Sequence, residues 1–485
     1  MSYSLFKSQP QAFRMIFMLE IWERFGFYTV QGVLTLYFIR LMGFSDIQSY
    51  QTFGAFTALV YGMIAVGGYF GDKLLGTKRT IVLGLILLAI GYFSLALSSY
   101  FKEGIFAALA LVAVGTGIFK ANPSNLLAKC YKAHDPRLHA GFTLYYMAVN
   151  LGSIVALLLG PVVVAHFGYA YAYCLSFIGI LLGLLNYWMQ KKYVRDVNNM
   201  ADSTHITPQT WILVAVLLLS MMLASTYLLQ HIFNTRLIVL IITILVLFYF
   251  GKCMYRESRI IQTRMMIALI LMVEAVGFFT LYQQMPTSLT LFAVHNVRPE
   301  LLGISFDPQN FQALNPFWII CLSPFLAALY QAMHKHAIDV PISHKFAAGM
   351  TCCGFSFLTL YIARFSADSA GTISAWWLVL SYFLQSAGEL LVSALGVAMV
   401  AELVPQSITG FVMGAWFLTT AIAGILGASV ASYMAVPAGM HSATDSLQIY
   451  TSVFARIGVV TLGCAALMWL VAKPLGGYLP KATEL

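Results

Sequence analysis

Three ionisable residues lie close together in an otherwise apolar segment near the start of the chain. Glu20, Glu23 and Arg24 fall within five positions, and Tyr28 follows. On a helix, Glu20, Arg24 and Tyr28 share one face, with Glu23 one position away. Two carboxylates beside one guanidinium cannot all stay charged in a dry site without cost, so one carboxylate is a candidate to take up a proton. The spacing favours proton-coupling chemistry over the alternative, a purely structural ion-pair cluster.

Further charges lie within apolar segments later in the chain. Lys120 precedes Pro123, which is expected to interrupt a helix, and Glu274 and Glu389 lie in two later segments. A charge at the centre of a bilayer costs at least about 2.5 kcal/mol, so such residues normally face a cavity and have a partner. A structural role is the alternative for each, and Glu274 either makes a local hydrogen bond or assists coupling.

The signs of these charges differ between the two halves of the chain. Arg24 and Lys120 make the first half cationic, whereas Glu389 makes the second half anionic. A dipolar cavity of this kind fits a zwitterionic ligand with a separated amine and carboxylate. It does not suit a sugar, nitrate or a hydrophobic drug.

The composition fixes the class of protein that carries these residues. Of 485 residues, 60% are hydrophobic and 9% are charged, against about 25% charged in ordinary soluble domains. Such a chain would expose far too much apolar surface in water, which excludes a soluble enzyme, a nucleic-acid-binding protein and a disordered chain. The sequence predicts an all-α polytopic membrane protein.

Fourteen segments are long and apolar enough to span a bilayer. They lie near 13–40, 50–71, 79–100, 104–127, 140–166, 168–190, 210–230, 236–252, 265–293, 309–333, 345–363, 373–403, 408–435 and 449–472. This 6 + 2 + 6 pattern predicts a six-helix bundle over 1–190, a linker with two additional spans over 191–264, and a second six-helix bundle over 265–485. Two six-helix bundles indicate a major facilitator fold.

The basic residues orient these spans. Of the 27 Lys and Arg residues, 19 fall in segments that are inside when the N-terminus is inside, and 6 fall outside. This asymmetry predicts that both termini are cytoplasmic.

Several motifs carry a resemblance to a known family. The Glu-x-x-Glu-Arg-Phe element at Glu20–Phe25, the glycine-rich stretch Gly67–Thr80 and the stretch Phe142–Ser153 are specific to it, and three shorter segments support them: Gln284–Ser288, Asn315–Trp318 and Gln385–Glu389. The chain resembles the proton-dependent oligopeptide transporters (POT/PTR) of the major facilitator superfamily, especially the enterobacterial di- and tripeptide permeases. The resemblance implies proton-coupled import of di- and tripeptides, and of peptide-like drugs, by alternating access across a bacterial inner membrane.

The resemblance also implies roles for individual residues. Arg24 and Lys120 would meet the peptide carboxylate, and Glu389, with Asn150 and Asn315, would meet the peptide amine. Glu20 and Glu23 would carry the proton, with Arg24 and Lys120 taking part in coupling. The remaining implied site residues are Tyr28 and Tyr61, which would bind the peptide backbone, and Trp416, which would line a side-chain pocket.

The sequence departs from the family pattern at Phe27, where many members have Tyr, and at Gln31, where many have Arg. Another small solute, such as a drug, nitrate or an amino acid, is the alternative substrate. The loop histidines do not have a zincin spacing, so we expect no enzyme activity, no metal and no cofactor beyond the proton gradient. We also expect membrane lipid as the environment, no nucleic-acid partner, and function as a monomer.

Overall fold

The computed structural model describes the chain except residues 1–5, 7, 133, 134, 136, 198, 199, 337–339, 438, 440, 441 and 477–485, and except the side chains of residues 200, 334, 394–402, 475 and 476. The two termini, which the basic residues predict to be cytoplasmic, include residues 1–5 and 477–485, which lie outside the described residues. The described chain is almost entirely helical, as the composition predicted.

The helices follow one another with short connections. They are α1 Gln11–Arg40, α2 Asp46–Gly62, α3 Ile64–Tyr69, α4 Thr77–Ser98, α5 Ile105–Lys129, α6 Arg137–Phe167, α7 Tyr169–Gln190, α8 Met200–Ser203, α9 Pro208–Gln230, α10 Ile232–Tyr255, α11 Arg259–Tyr282, α12 Ser288–Asn296, α13 Leu314–Lys335, α14 Ile342–Ala363, α15 Ala375–Glu402, α16 Thr409–Ser432 and α17 Ala443–Gly476.

Thirteen helical segments among the described residues are long and apolar enough to cross a membrane. α1 is not one of them, although it is 30 residues long. It is less apolar because it carries Glu20, Glu23 and Arg24, all of which are buried. With α1, the segments match the fourteen predicted spans, and the all-α membrane fold is confirmed.

The chain divides into two compact units. One comprises residues 1–43 and 55–235, and the other comprises 44–54 and 236–485. Of the two additional helices, α9 therefore belongs to the first unit and nearly all of α10 belongs to the second unit. The bundle boundaries drawn from the sequence at 190 and 264 stay a prediction.

Close helix contact in the first unit places α1. α1 packs against α6 and α7. A Cβ added at Gly152 of α6 would lie 2.5 Å from the Ile21 carbonyl oxygen and 3.1 Å from the Arg24 Cβ. Because only glycine leaves room for this approach, Gly152 sets the distance between α6 and the part of α1 that bears Arg24.

The glycine-rich stretch after α2 packs against α5. Residues Phe70–Leu74 form a π-helical turn. A Cβ at Gly67 would lie 2.0 Å from the Gly117 carbonyl oxygen, and the Asn122 amide donates to the Gly67 and Ile118 carbonyls at 3.1 and 2.8 Å. The glycines of this motif therefore serve close backbone packing.

The helix α5 does not break at Pro123. It continues from Ile105 to Lys129 with the proline inside it, so the expected interruption is not observed. Proline removes one backbone donor from the helix, and membrane helices tolerate this loss where they pack against neighbouring helices.

The segment between α7 and α9 folds back onto the start of α4. The Lys78 ammonium donates to the Val194 and Arg195 carbonyls, each at 3.1 Å, and the Lys78 N–H donates to the Asp202 carboxylate at 3.2 Å. Gly76 has φ 84°, and a Cβ there would lie 2.5 Å from the Asp202 carboxylate oxygen. These contacts fix the linker to the first unit before α9 begins.

In the second unit, two helices approach each other closely beside Glu389. A Cβ at Gly349 of α14 would lie 2.9 Å from the Gly388 carbonyl oxygen, and a Cβ at Gly388 of α15 would lie 2.7 Å from the Gly349 carbonyl oxygen. The reciprocal contact requires glycine at both positions. It holds the part of α15 that carries Glu389 directly against α14.

The predicted single span at 265–293 is wrong in detail. α11 ends at Tyr282, a turn follows, and α12 begins at Ser288. Pro286 lies in this turn and has no N–H to continue a helix. The Gln284 amide donates to the Thr280 and Gly427 carbonyls, each at 3.0 Å, which satisfies backbone groups at the break. A short hairpin, β1 Glu300–Leu301 and β2 Ile304–Ser305, follows α12.

Candidate functional site

The three charges of α1 form a buried ion-pair cluster. Arg24 Nε donates to Glu23 Oε2 at 2.5 Å, and Arg24 Nη2 lies 2.5 Å from the same oxygen. Arg24 Nε also lies 3.4 Å from Glu20 Oε1. The exposed fractions of Glu20, Glu23 and Arg24 are 4%, 0% and 2%. The structure therefore brings together the group that the spacing predicted.

Two polar atoms of this cluster lack a hydrogen bond. Within the described residues, Glu23 Oε1 and Arg24 Nη2 are buried and have no hydrogen-bond partner. The contact of Nη2 with Glu23 Oε2 is thus electrostatic, since it does not have hydrogen-bond geometry. A buried carboxylate oxygen without a donor carries a desolvation cost.

The structure adds a fourth member to the cluster. The Tyr145 hydroxyl of α6 donates to Glu20 Oε2 at 2.6 Å. Sequence reasoning missed this residue, because Tyr145 and Tyr146 are adjacent in the same motif and nothing in the sequence tells which one faces α1. The two carboxylates therefore differ: Glu20 has a hydroxyl donor, whereas Glu23 is bound to the guanidinium alone.

Lys120 lies apart from this ion pair. Its ammonium lies 4.8 Å from the centre of the Tyr61 ring, and no ion pair of Lys120 is found within the described residues. A half-buried cation above an aromatic face is stabilised by about 0.5–2 kcal/mol. Lys120 and Tyr61, predicted separately as a carboxylate contact and a backbone contact, are thus neighbours in the first unit.

The two remaining predicted residues of the first unit lie along the same helices. Tyr28 is half-buried on α1, and its ring packs edge-to-face on Phe27 with centroids 5.6 Å apart. Asn150 of α6 is 7% exposed, and its amide donates to the Tyr146 carbonyl of the same helix at 2.9 Å. The amide nitrogen of Asn150 therefore serves its own helix, which leaves its oxygen as the atom with which it could contact a ligand.

A second polar site lies in the second unit, where Glu389 is half-buried and its neighbours Asn315 and Ser386 are buried. Asn315 Nδ2 donates to Glu389 Oε2 at 2.7 Å and to Ser386 Oγ at 3.1 Å. The Tyr282 hydroxyl donates to Asn315 Oδ1 at 3.3 Å. No ion pair of Glu389 is found in the described part of the chain. The structure thus brings together Glu389 and Asn315, and it holds a carboxylate with neutral groups only.

Trp416 and Glu274 complete the predicted residues of the second unit. Trp416 is 4% exposed, and its ring packs edge-to-face on Phe279 with centroids 6.4 Å apart. Glu274 Oε2 is buried and has no hydrogen-bond partner within the described residues. The roles of Trp416 in a side-chain pocket and of Glu274 in coupling stay predictions.

Together the described residues supply a cation pair in one unit and a carboxylate in the other. Among the described residues, no group of three or more His, Cys, Asp or Glu side chains is placed to hold a metal ion.

A family model described as PTR2, POT family, matches residues 78–447. The chain belongs to the POT family. The match covers more than half of the chain and parts of both units. It includes Lys120 and Glu389, whereas Glu20, Glu23 and Arg24 lie before its first residue. The resemblance inferred from the motifs is confirmed.

Curated POT-family relatives are similar over almost the whole length. The chain is 47% identical over 464 residues to the dipeptide and tripeptide permease B of Yersinia enterocolitica, covering 96% of this chain and 94% of the relative. It is 46% identical over 474 residues to the dipeptide and tripeptide permease A of Proteus mirabilis, covering 98% and 96%.

Solved structures of peptide transporters share the fold. Tetrameric PepTSo2 matches with a TM-score of 0.86 at 33% identity, covering 96% of this chain and 99% of that chain. A bacterial homologue of the human drug peptide transporters PepT1 and PepT2 matches with a TM-score of 0.85 at 34% identity, covering 96% and 98%. The major facilitator fold predicted from the 6 + 2 + 6 pattern is confirmed.

Proposed function

We propose that this POT-family protein is a proton-coupled symporter that imports di- and tripeptides by alternating access. The observation that carries the proposal is the buried cluster of Glu20, Glu23 and Arg24, in which one carboxylate oxygen has no hydrogen-bond donor. The names of the relatives, which are dipeptide and tripeptide permeases at 46–47% identity, supply the substrate class.

The proton acts by loosening the ion pair of Arg24. While Glu23 is charged, it holds the guanidinium, because both partners are buried and the interaction is strong at low dielectric. When Glu23 or Glu20 takes up a proton, part of that attraction is lost and Arg24 becomes free to bind another anion. The carboxylate terminus of a peptide is that anion, with Lys120 as the second cation.

The second unit recognises the other end of the peptide. Glu389 has no ion pair of its own in the described part of the chain, and Asn315 orients its carboxylate through a 2.7 Å hydrogen bond. A free peptide amine would supply the missing positive charge. Asn150 would assist at the amine, Tyr28 and Tyr61 would bind the peptide backbone, and Trp416 would line a pocket for side chains.

The proton gradient supplies the energy, with no cofactor. Each proton that moves inward contributes about 2.3 kcal/mol per 100 mV. We place the protein in the bacterial inner membrane as a multi-pass monomer with both termini cytoplasmic. Some solved neighbours are tetrameric, so measuring the mass of the purified protein in detergent tests the monomer.

Uptake of a labelled dipeptide into proteoliposomes tests the function. With an inward proton gradient, we expect accumulation that collapses when an ionophore is added. The proposal would be contradicted if the protein took up no peptide under either condition while it still showed an intact thermal melting transition. A screen with nitrate, amino acids and peptide-like drugs would then identify the alternative solute.

A further inference from the structure

The helix α10 has almost no protein neighbours. Only 6% of its most apolar stretch is buried among the described residues, whereas the same fraction is 28% for α9. One contact anchors its last turns, since the Tyr249 ring packs on Phe411 with centroids 4.8 Å apart. The remaining surface of α10 is therefore a lipid-facing surface with a fixed orientation on the second unit.

A shallow, open groove lies on this surface, formed by the last turns of α10 and the residue that follows it. It is lined by Leu247, Phe248, Gly251, Lys252, Tyr255 and Arg256. A Cβ added at Gly251 would meet nothing within 4 Å, so the glycine leaves the floor of the groove open between two large aromatic side chains. The exposed fractions of Phe248 and Tyr255 are 71% and 86%.

The groove has an apolar end and a cationic end. Leu247 and Phe248 lie one to two turns before Lys252 and Arg256, which are four residues apart and share a helix face. No ion pair of Lys252 or Arg256 is found within the described residues. The stretch 252–264 contains four Lys and Arg residues and one Glu, and the distribution of basic residues predicts that it is cytoplasmic.

We propose that this groove binds an anionic phospholipid of the cytoplasmic leaflet. Lys252 and Arg256 contact the phosphate of the headgroup, Tyr255 lies beside it at the interface, and an acyl chain runs past Gly251 along Leu247 and Phe248. Basic clusters at the cytoplasmic end of a membrane helix attract anionic lipids, and aromatic residues favour the same depth.

A second lipid-facing groove provides a comparison within the molecule. It lies in the first unit, has a volume of about 360 Å³, and is lined by Ile86, Ala89, Ile90, Phe93, Phe177, Leu181 and Leu184. It contains no charged side chain, so it can hold an acyl chain but cannot distinguish headgroups. The headgroup preference is therefore a property of the α10 groove, not of a lipid-facing groove in general.

Retention of added lipid by the purified protein, measured by native mass spectrometry, tests the proposal. The probes are phosphatidylglycerol and phosphatidylethanolamine with the same acyl chains. We expect the protein to retain phosphatidylglycerol preferentially, and Lys252→Gln with Arg256→Gln to lower that preference by about 5-fold per cation. The double variant Lys191→Gln with Lys192→Gln, which removes two exposed cations of the first unit, should keep it.

Two further experiments test whether binding requires the open groove and the acyl chain of the lipid, in addition to the two cations. Gly251→Leu retains both cations but fills the floor, so it should also lose the preference. An excess of soluble glycerol phosphate should not displace the lipid, since it has no acyl chain. Displacement by glycerol phosphate, an unchanged preference in either groove variant, or an equal loss in the Lys191 and Lys192 control would overturn the proposal.

Discussion

The Arg24 cluster of the first unit is buried, whereas Glu389 of the second unit is half-buried, and the charges of the two sites are balanced differently. Arg24 has two carboxylates within 3.4 Å, and a tyrosine hydroxyl binds one of them. Glu389 is held by a neutral amide, which in turn contacts a serine and a tyrosine. The first site contains its own counter-charges, whereas the second lacks one among the described residues.

This difference separates two tasks that a coupled transporter must perform. A site with internal ion pairs can respond to a proton, because protonation changes which pairs exist. A site with one uncompensated carboxylate cannot switch in this way, but it can bind an incoming cation, since a half-buried carboxylate without a counter-charge attracts a positive partner. We therefore expect substitutions in the two sites to damage different steps.

The largest effect should come from Glu23→Gln. The substitution keeps the size of the side chain but removes the charge that holds Arg24 and the group that would accept a proton. We expect proton-driven accumulation of a dipeptide to be lost, while exchange of labelled for unlabelled peptide without a gradient continues at a reduced rate. Both rates are measured in the same proteoliposomes.

Two observations control this result. Glu103→Gln makes the same chemical change at an exposed position and should leave both rates unchanged. An equal loss of accumulation and exchange in Glu23→Gln would contradict the coupling role, because that pattern indicates damage to the binding site or the fold.

Glu389→Gln should instead affect recognition of the peptide amine. A hydrogen bond to a charged group contributes about 1.5–3 kcal/mol, so we expect the affinity for peptides with a free amine to fall about 10- to 100-fold. Peptides with an acetylated amine should compete equally with wild type and variant, since they cannot make the ion pair. Competition against a labelled dipeptide measures both.

Glu274→Gln serves as the matched control for this second prediction, because Glu274 is another carboxylate of the second unit. Its buried Oε2 has no hydrogen-bond partner within the described residues. If Glu274→Gln lowers the affinity for peptides with a free amine as much as Glu389→Gln does, Glu389 is not the residue that binds the amine. Retained affinity in Glu389→Gln would also refute the assignment.

A smaller effect is expected for Tyr145→Phe, which removes the hydroxyl that donates to Glu20. Tyr145 contacts only one of the two carboxylates of the cluster, through a single hydrogen bond at 2.6 Å. With about 0.5–1.5 kcal/mol for an ordinary hydrogen bond, proton-driven uptake should fall about 3- to 10-fold while gradient-free exchange changes little. A role in packing alone would lower both rates together.

Tyr92→Phe provides the control for this deletion. The Tyr92 hydroxyl is buried but has no hydrogen-bond partner within the described residues, and a Cβ at Gly26 of α1 would lie 2.8 Å from its ring. Removal of that hydroxyl leaves the packing against α1 intact. Unchanged coupling in Tyr92→Phe together with reduced coupling in Tyr145→Phe would show that the Glu20 contact is responsible.

Tyr145 also shows where sequence reasoning stops. The spacing of Glu20, Glu23 and Arg24 predicted their cluster, because residues three and four apart on one helix are neighbours whatever surrounds them. The contact of Tyr145 with Glu20 joins residues on two different helices that are 125 positions apart in the sequence. Whether Tyr145 reaches Glu20 depends on the rotation of α6 about its axis. The close approach at Gly152 fixes that rotation, and no local pattern encodes it.

The same reasoning applies to the fold. Hydropathy and the placement of basic residues predicted the spans and their number, since these follow from the solvent around each segment. The break between α11 and α12 was missed because the polar stretch Gln283–Ser288 is short and apolar residues resume at Leu289. The break depends on Pro286 and on the Gln284 amide, whose acceptor Gly427 lies 143 residues away.

The smallest effect should come from an exposed ion pair that resembles the buried one in geometry. Arg137 donates to Asp135 at 3.0 and 2.8 Å, and its side chain is 48% exposed. Those hydrogen bonds lower the pKa of Asp135 to about 2. Because the folded-state pKa is lowered, the carboxylate stays charged above that value, and any stability it contributes is lost only as the pH falls from about 4 towards 2.

Asp135→Asn should therefore leave the pH profile of uptake between pH 5 and pH 8 unchanged, and it should shift the melting temperature little, since exposed ion pairs contribute little to stability. The buried Glu23 pair makes comparable contacts and is expected to control coupling. A change of the uptake profile in Asp135→Asn as large as that in Glu23→Gln would mean that burial does not separate the two pairs, and that charge near the start of α6 also takes part in coupling.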